Sequence, residues 1–167
     1  MRREIIGIIV LAVVLAGAVS VLAPNIHWDG AVFRQVHVVV QRYDGSPVSG
    51  ARVTFRDNEY DRVMKKTNAV AHMTQAELQK WQSEHYASGM ADANGSFAFR
   101  AAFPAGGTRV LFWDNGRFAL RGTVIVEADG HKTIERPLWQ LAGKKSVSVR
   151  RYRRKPIVIQ CKLEREH

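Results

Sequence analysis

The sequence predicts a mostly β fold: a seven- to eight-stranded antiparallel Greek-key sandwich with one short inserted helix, preceded by an N-terminal transmembrane helix. Three observations carry this expectation. Apolar residues recur at every second position in several short segments, the mark of strands with one buried face. Gly, Asn, Asp and Pro cluster between those segments, where tight turns need them. Residues Ile5 to Ala23 contain no charge at all.

The N-terminal run comes first in the chain. As a helix it would be roughly 29 Å long, close to the hydrocarbon thickness of a bilayer. Arg2 and Arg3 precede it, so residues 1–4 are expected in the cytoplasm and the rest outside. A cleaved signal is the rival reading, with Ala16-Gly17-Ala18 as a small-residue processing site. The run continues apolar through Val19, Val21 and Leu22, which favours an uncleaved anchor. Either way the following domain is placed extracytoplasmically: single-pass and anchored, or secreted or periplasmic after cleavage.

Residues 24–35 read as a polar linker, and 36–164 as the sandwich. Val36, Val38 and Val40 alternate with His37, Val39 and Gln41. Asp44-Gly45-Ser46-Pro47 is a turn, and Ala51, Val53 and Phe55 make the inner face of a second strand. The stretch from Arg56 to Met90 loses this alternation. Thr74 with Glu77 fits a capping box, and Met73 with Leu78 fits the staple around it. A helix is expected from about Gln75 to Tyr86, within an insertion at about 72–88, stopping near Gly89 and docking through Leu78 and Trp81. Strand signals return at Phe97 and Phe99. Arg109 to Trp113, Asp114-Asn115-Gly116 and Arg117 to Leu120 read as a hairpin. Val124 and Val126, then Val147 and Val149, then Ile157, Ile159, Cys161 and Leu163 complete the set.

Charge and cysteine content narrow the options. The formal net charge is +10, yet seven basic residues and no acidic one lie between Lys144 and Lys155. One cysteine excludes an intramolecular disulfide, so the core alone must hold the domain. Lys144, Lys145, Arg150, Arg151, Arg153, Arg154 and Lys155 form a candidate anionic-surface patch, for anionic lipid, an acidic protein or a glycan. The same residues also fit the solvated face of an edge strand. Nucleic acid is a poorer fit for an exported chain. The bilayer itself is the expected partner of residues 5–23, and no protein partner is legible.

Three segments resemble the carboxypeptidase regulatory-like family, whose fold is the transthyretin-like sandwich. They are Asp44-Gly45-Ser46-Pro47-Val48-Ser49-Gly50-Ala51-Arg52-Val53, Ala91-Asp92-Ala93-Asn94-Gly95-Ser96-Phe97, and Val124-Ile125-Val126-Glu127-Ala128-Asp129-Gly130-His131. His131 stands where the family has Tyr or Phe. The resemblance implies a binding or structural role and carries over no catalytic residue.

Chemistry-bearing residues are sparse. The six histidines show no metal-pair spacing, and Cys161 reads as a buried apolar position. No nucleophile elbow or phosphate loop occurs. Hydroxyisourate hydrolases end in Tyr-Arg-Gly-Ser, which this chain lacks. Intradiol dioxygenases use two Tyr and two His around iron, a pattern not legible here. The chain is therefore expected to be a non-enzymatic, membrane-anchored module without cofactor or metal. The alternative is a secreted sugar-binding module or hydrolase-like enzyme, with a pocket formed by Trp81, His85 and Trp113.

Overall fold

A computed structural model describes Val14 and residues 26–64, 73–110, 113–153 and 155–166. In chain order the elements are β1 (Ile26–Arg42), β2 (Arg52–Arg56), α1 (Asn58–Met64), α2 (Gln75–His85) and β3 (Tyr86–Met90). There follow β4 (Ser96–Val110), β5 (Trp113–Asp114), β6 (Arg117–Ala119), β7 (Thr123–Glu127) and β8 (Ile134–Pro137). The chain closes with α3 (Leu138–Leu141), β9 (Ser146–Ser148) and β10 (Ile157–Leu163). The expected mostly β fold is present as two sheets. The larger runs β10-β1-β4-β6-β9, with β5 also beside β4, and the smaller runs β3-β2-β7-β8.

Alternation decides which face of each strand turns inward. Val36, Val38 and Val40 of β1 are fully buried, as are Val53 and Phe55 of β2. On β10 the inward set is Ile157, Ile159, Cys161 and Leu163, and the residues between them are exposed. Aromatic rings tie the sheets together. Phe55 of the small sheet stacks on Phe99 of the large one at 4.8 Å and meets the edge of Phe103 at 6.4 Å. Phe103 in turn lies 5.8 Å from Phe118. Offset and edge-on pairs of this kind add about 0.5–1.5 kcal/mol each beyond their buried area. The turn at Asp92–Ser96 needs Gly95: its φ is +70°, and a Cβ there would collide with the Val40 carbonyl oxygen.

Several expectations are corrected. The large sheet is mixed, because β1 and β10 run parallel, Val36 opposite Ile157 through Arg42 opposite Leu163. Most of the expected linker, from residue 26, is strand. Pairing with β4 extends from Ile26 opposite Arg109 to Val39 opposite Ser96. His27, Asp29 and Gly30 do not signal a strand, but a long neighbour supplies backbone partners that override local preference. The expected hairpin around Asn115-Gly116 pairs differently. Trp113 and Asp114 lie opposite Val110 and Arg109, whereas Arg117 and Phe118 lie opposite Gly106 and Ala105. Two further helices, α1 and α3, were not expected. Gly89 is not a helix stop, since Tyr86–Met90 forms β3 against β2.

Among the described residues no helix is long and apolar enough to cross a membrane. Apart from Val14, the apolar run from Ile5 to Ala23 lies outside the described residues.

Candidate functional site

β2 and β3 pair antiparallel and end with Arg56 opposite Tyr86. One step beyond that pair, Asp57 stands opposite His85: the Asp57 N–H donates to the His85 carbonyl at 2.9 Å. The ladder thus closes the base of the insertion that carries α1 and α2. It also sets two side chains on one face. Asp57 continues the inward series Ala51, Val53, Phe55 and is only 7% exposed. Its Oδ2 lies 3.0 Å from His85 Nδ1. Its Oδ1 accepts the Glu59 N–H at 2.9 Å, which caps α1.

His85 is the last residue of α2, and the start of that helix is fixed by its capping box. The Thr74 hydroxyl oxygen accepts the Glu77 N–H, and the Thr74 N–H donates to the Glu77 carboxylate at 2.9 Å. The bond from the Thr74 backbone, followed by that from its hydroxyl, holds the Glu77 carboxyl below its ordinary range. The His85 ring also rests against Trp81, with centroids 4.9 Å apart. Trp81 stacks on Tyr60 of α1 at 5.6 Å, and Tyr60 stacks on Tyr86 at 5.0 Å. This aromatic stack fixes the two helices to the end of the β2–β3 ladder, even though α2 has no fully buried residue.

The Asp57–His85 pair lines a cavity of about 240 Å³. Its apolar wall comes from Ala31 on β1 and Ala102, Phe103 and Pro104 on β4. Its polar wall comes from Asn58, Glu59 and Arg121. Arg62 pairs with Glu59, which offsets that negative charge. Arg121 is exposed and forms no ion pair with a described residue. It precedes Gly122, where φ is +102° and a Cβ would meet the Phe55 ring and the Arg56 carbonyl oxygen. Only glycine lets the chain turn into β7 there, and that turn brings Arg121 to the cavity.

An ionised carboxylate only accepts hydrogen bonds, so beside Asp57 the proton of a neutral His85 sits on Nδ1. Nε2 is then the basic nitrogen, and it has no hydrogen-bond partner among the described residues. A carboxylate-oriented imidazole at a cavity wall can accept a proton from a bound ligand, and the carboxylate stabilises the imidazolium that forms.

Two of the three expected pocket residues meet. Trp81 and His85 are in contact, but Trp81 is not among the residues that line the cavity. Trp113 lies on β5 opposite Val110, well beyond Ala102 along β4, and its side chain falls outside the described residues. Asp57, Arg121 and Tyr60 were not singled out in the sequence. Asp57 had two legible signals: a polar residue in an inward series, and an Asp directly before a helical Asn-Glu-Tyr. Of the basic block, Lys144, Lys145, Arg150, Arg151, Arg153 and Lys155 are exposed, and Arg154 lies outside the described residues. His37, on the opposite face of β1 from Val36 and Val38, is half-buried, with its Nε2 enclosed and without a hydrogen bond among the described residues.

No protein-family model matches the chain, and no curated protein matches it. Solved structures do. A catechol 1,2-dioxygenase from Acinetobacter sp. ADP1, inhibited by bound mercury, is 13% identical, with a TM-score of 0.47 over 81% of this chain and 53% of that one. A 3-chlorocatechol 1,2-dioxygenase from Rhodococcus opacus 1CP is 11% identical, with a TM-score of 0.43 over 81% and 59%. A hydroxyquinol 1,2-dioxygenase from Pseudomonas putida DLL-E4 is 15% identical, with a TM-score of 0.41 over 64% and 38%. The chain thus spans between 38% and 59% of the length of these three.

These findings correct two expectations. The similar structures are dioxygenases rather than carboxypeptidase regulatory-like or transthyretin-like domains, so that resemblance is set aside. They are also enzymes, which runs against the expectation of a non-catalytic module. At these identities and TM-scores the likeness carries no activity, substrate or site residue to this chain. Among the described residues no group of three or more His, Cys, Asp or Glu side chains is placed to hold a metal ion.

Proposed function

We propose that the Asp57–His85 cavity binds a small, largely apolar molecule bearing an acidic group, and that His85 takes a proton from it. The observation that carries this reading is the buried Asp57 carboxylate 3.0 Å from Nδ1, which leaves Nε2 as the free base. Arg121 supplies the complementary charge for a carboxylate or phenolate, and Phe103 and Pro104 supply the apolar wall. A cavity of about 240 Å³ suits a ligand of one ring rather than a polymer. Asp57 holds the tautomer and stabilises the charged imidazole; His85 is the proton acceptor; Arg121 orients the anion.

Benzoate and phenol test this directly. In the full-length chain both are expected to shift the His85 ring resonances. Asp57→Asn, which keeps an acceptor for the α1 cap, is expected to abolish the phenol-induced shift of the His85 ring resonances while benzoate still binds. Arg121→Gln is expected to weaken benzoate by about tenfold and phenol much less. Ring resonances unmoved by either probe would overturn the reading.

Where the protein works follows from the N-terminal run. The length of Ile5–Ala23 and the pair Arg2-Arg3 support an anchored chain with its sandwich outside the cytoplasm. Mass measurement of the mature N-terminus separates an anchored chain from a released one.

A further inference from the structure

The register of the large sheet locates the basic block relative to the apolar run. β1 begins at Ile26, three residues after Ala23, so this end of the sheet lies within about 10 Å of the run, whatever path the chain takes between them. Ile26 is itself exposed. Reading across the sheet from β1, Trp28 faces Gly107 of β4. Gly107 packs against Gly116 so closely that a Cβ would collide with it. The Gly116 carbonyl accepts the Val149 N–H at 2.9 Å. Val149 therefore stands level with Trp28, about 7 Å along the strand from Ile26. Arg150 and Arg151 follow immediately.

From there the chain crosses the sheet from the β9 edge to the β10 edge, where Ile157 is level with Val36. Tyr152 pins the crossing by meeting the Phe118 ring edge-on at 6.3 Å. Lys144 and Lys145 lie elsewhere. The Lys145 carbonyl accepts the Leu120 N–H, and Ser146 faces Ala119, which places Lys145 about 20 Å along the strand direction from Ile26. Lys145 also sits over the Trp139 ring. The seven basic residues are thus not one surface. Arg150 and Arg151 belong to the end of the sheet where the apolar run joins it, whereas the Arg117 guanidinium turns away from that end to donate to Ser146. Neither Arg150 nor Arg151 forms an ion pair with a described residue.

We propose that this end of the large sheet, through Arg150 and Arg151, docks on the anionic headgroups of the bilayer that holds residues 5–23, and that Lys144 and Lys145 take no part. The inference rests on reading the apolar run as a membrane segment. Two facts select lipid as the occupant. The described sheet begins at this edge, three residues after the apolar run, and exposed arginines stand within about a Debye length or two of the surface that run would leave.

The test uses the full-length chain in nanodiscs of neutral phosphatidylcholine, or of phosphatidylcholine mixed with phosphatidylglycerol, exposed to trypsin. Cleavage after Arg150 and Arg151 is expected to be roughly tenfold slower in the anionic discs, with the difference lost at about 0.5 M salt. Cleavage after Lys144 and Lys145 is expected to proceed equally in both. A chain that does not co-elute with the discs overturns the membrane reading itself. A chain that co-elutes but is cut after Arg150 and Arg151 at the same rate in both discs overturns the docking face alone. Equal protection at Lys144 and Lys145 overturns the division of the block.

Discussion

Cys161 occupies an inward position of β10 between Ile159 and Leu163, where a thiol contributes as a small apolar group. Burial pushes its pKa up from 9.0 to about 11. The sign of the consequence follows from which form the fold excludes. Stability is complete while both states hold the neutral thiol, below 9.0, and declines as pH rises through about 11. The loss is expected to approach roughly 2 to 3 kcal/mol. Urea unfolding followed from pH 8 to 12 checks this, with Cys161→Val as the reference for every other group that titrates there. A variant with the same pH slope as the natural chain would remove the effect. Asp57 shows the opposite case, a charged residue in an inward series. It keeps its place because His85 Nδ1, the Glu59 N–H and its own backbone bond to His85 satisfy it. Cys161 was readable from alternation. The position of Asp57 left local signals too, but its pairing with His85 did not, because that partner lies across an insertion that local periodicity does not span.

At the level of elements, α2 depends on its start. It has no fully buried residue, so capping and the Trp81–Tyr60 stack carry a large share of its stability. Thr74→Ala removes the hydroxyl that accepts the Glu77 N–H and donates to its carboxylate, leaving only the backbone half of the capping box, and is expected to cost about 1 kcal/mol, read as faster hydrogen exchange confined to α2. Because His85 ends the same helix, the variant should also broaden the His85 ring resonances. Unchanged exchange across α2 would show that the stack alone holds it. Glu77 has the complementary pH dependence. Its carboxyl titrates below the ordinary range, so its contribution is present above the unfolded carboxylate pKa and fades as pH falls through its lowered folded value. This helix was legible almost residue for residue, because Thr74, Glu77 and the staple are local signals. β3 directly after it was not. Tyr86–Met90 lacks a clean alternating pattern, and only the free edge of β2 makes it a strand.

Across the molecule the two sheets share one set of aromatic contacts, from Phe55 to Phe99 and Phe103, and on to Phe118 and Tyr152. Phe103 is fully buried in the middle of this series. Phe103→Ala is expected to cost about 3 to 5 kcal/mol and to destabilise both sheets together. Coincident transitions by circular dichroism and tryptophan fluorescence would confirm that unity; separated transitions would show sheets that unfold independently. By itself the sequence determined the mostly β class, the inner faces of β1, β2, β7 and β10, and the position of α2. Each of these rests on periodicity or capping within a few residues. The parallel pairing of β1 with β10, the strand character of residues 26–35, the meeting of Asp57 with His85 and Arg121, and the division of the basic block were decided only by the tertiary structure. Each joins residues far apart in the chain through backbone register, and register is fixed by how a whole sheet closes over its core rather than by any one segment.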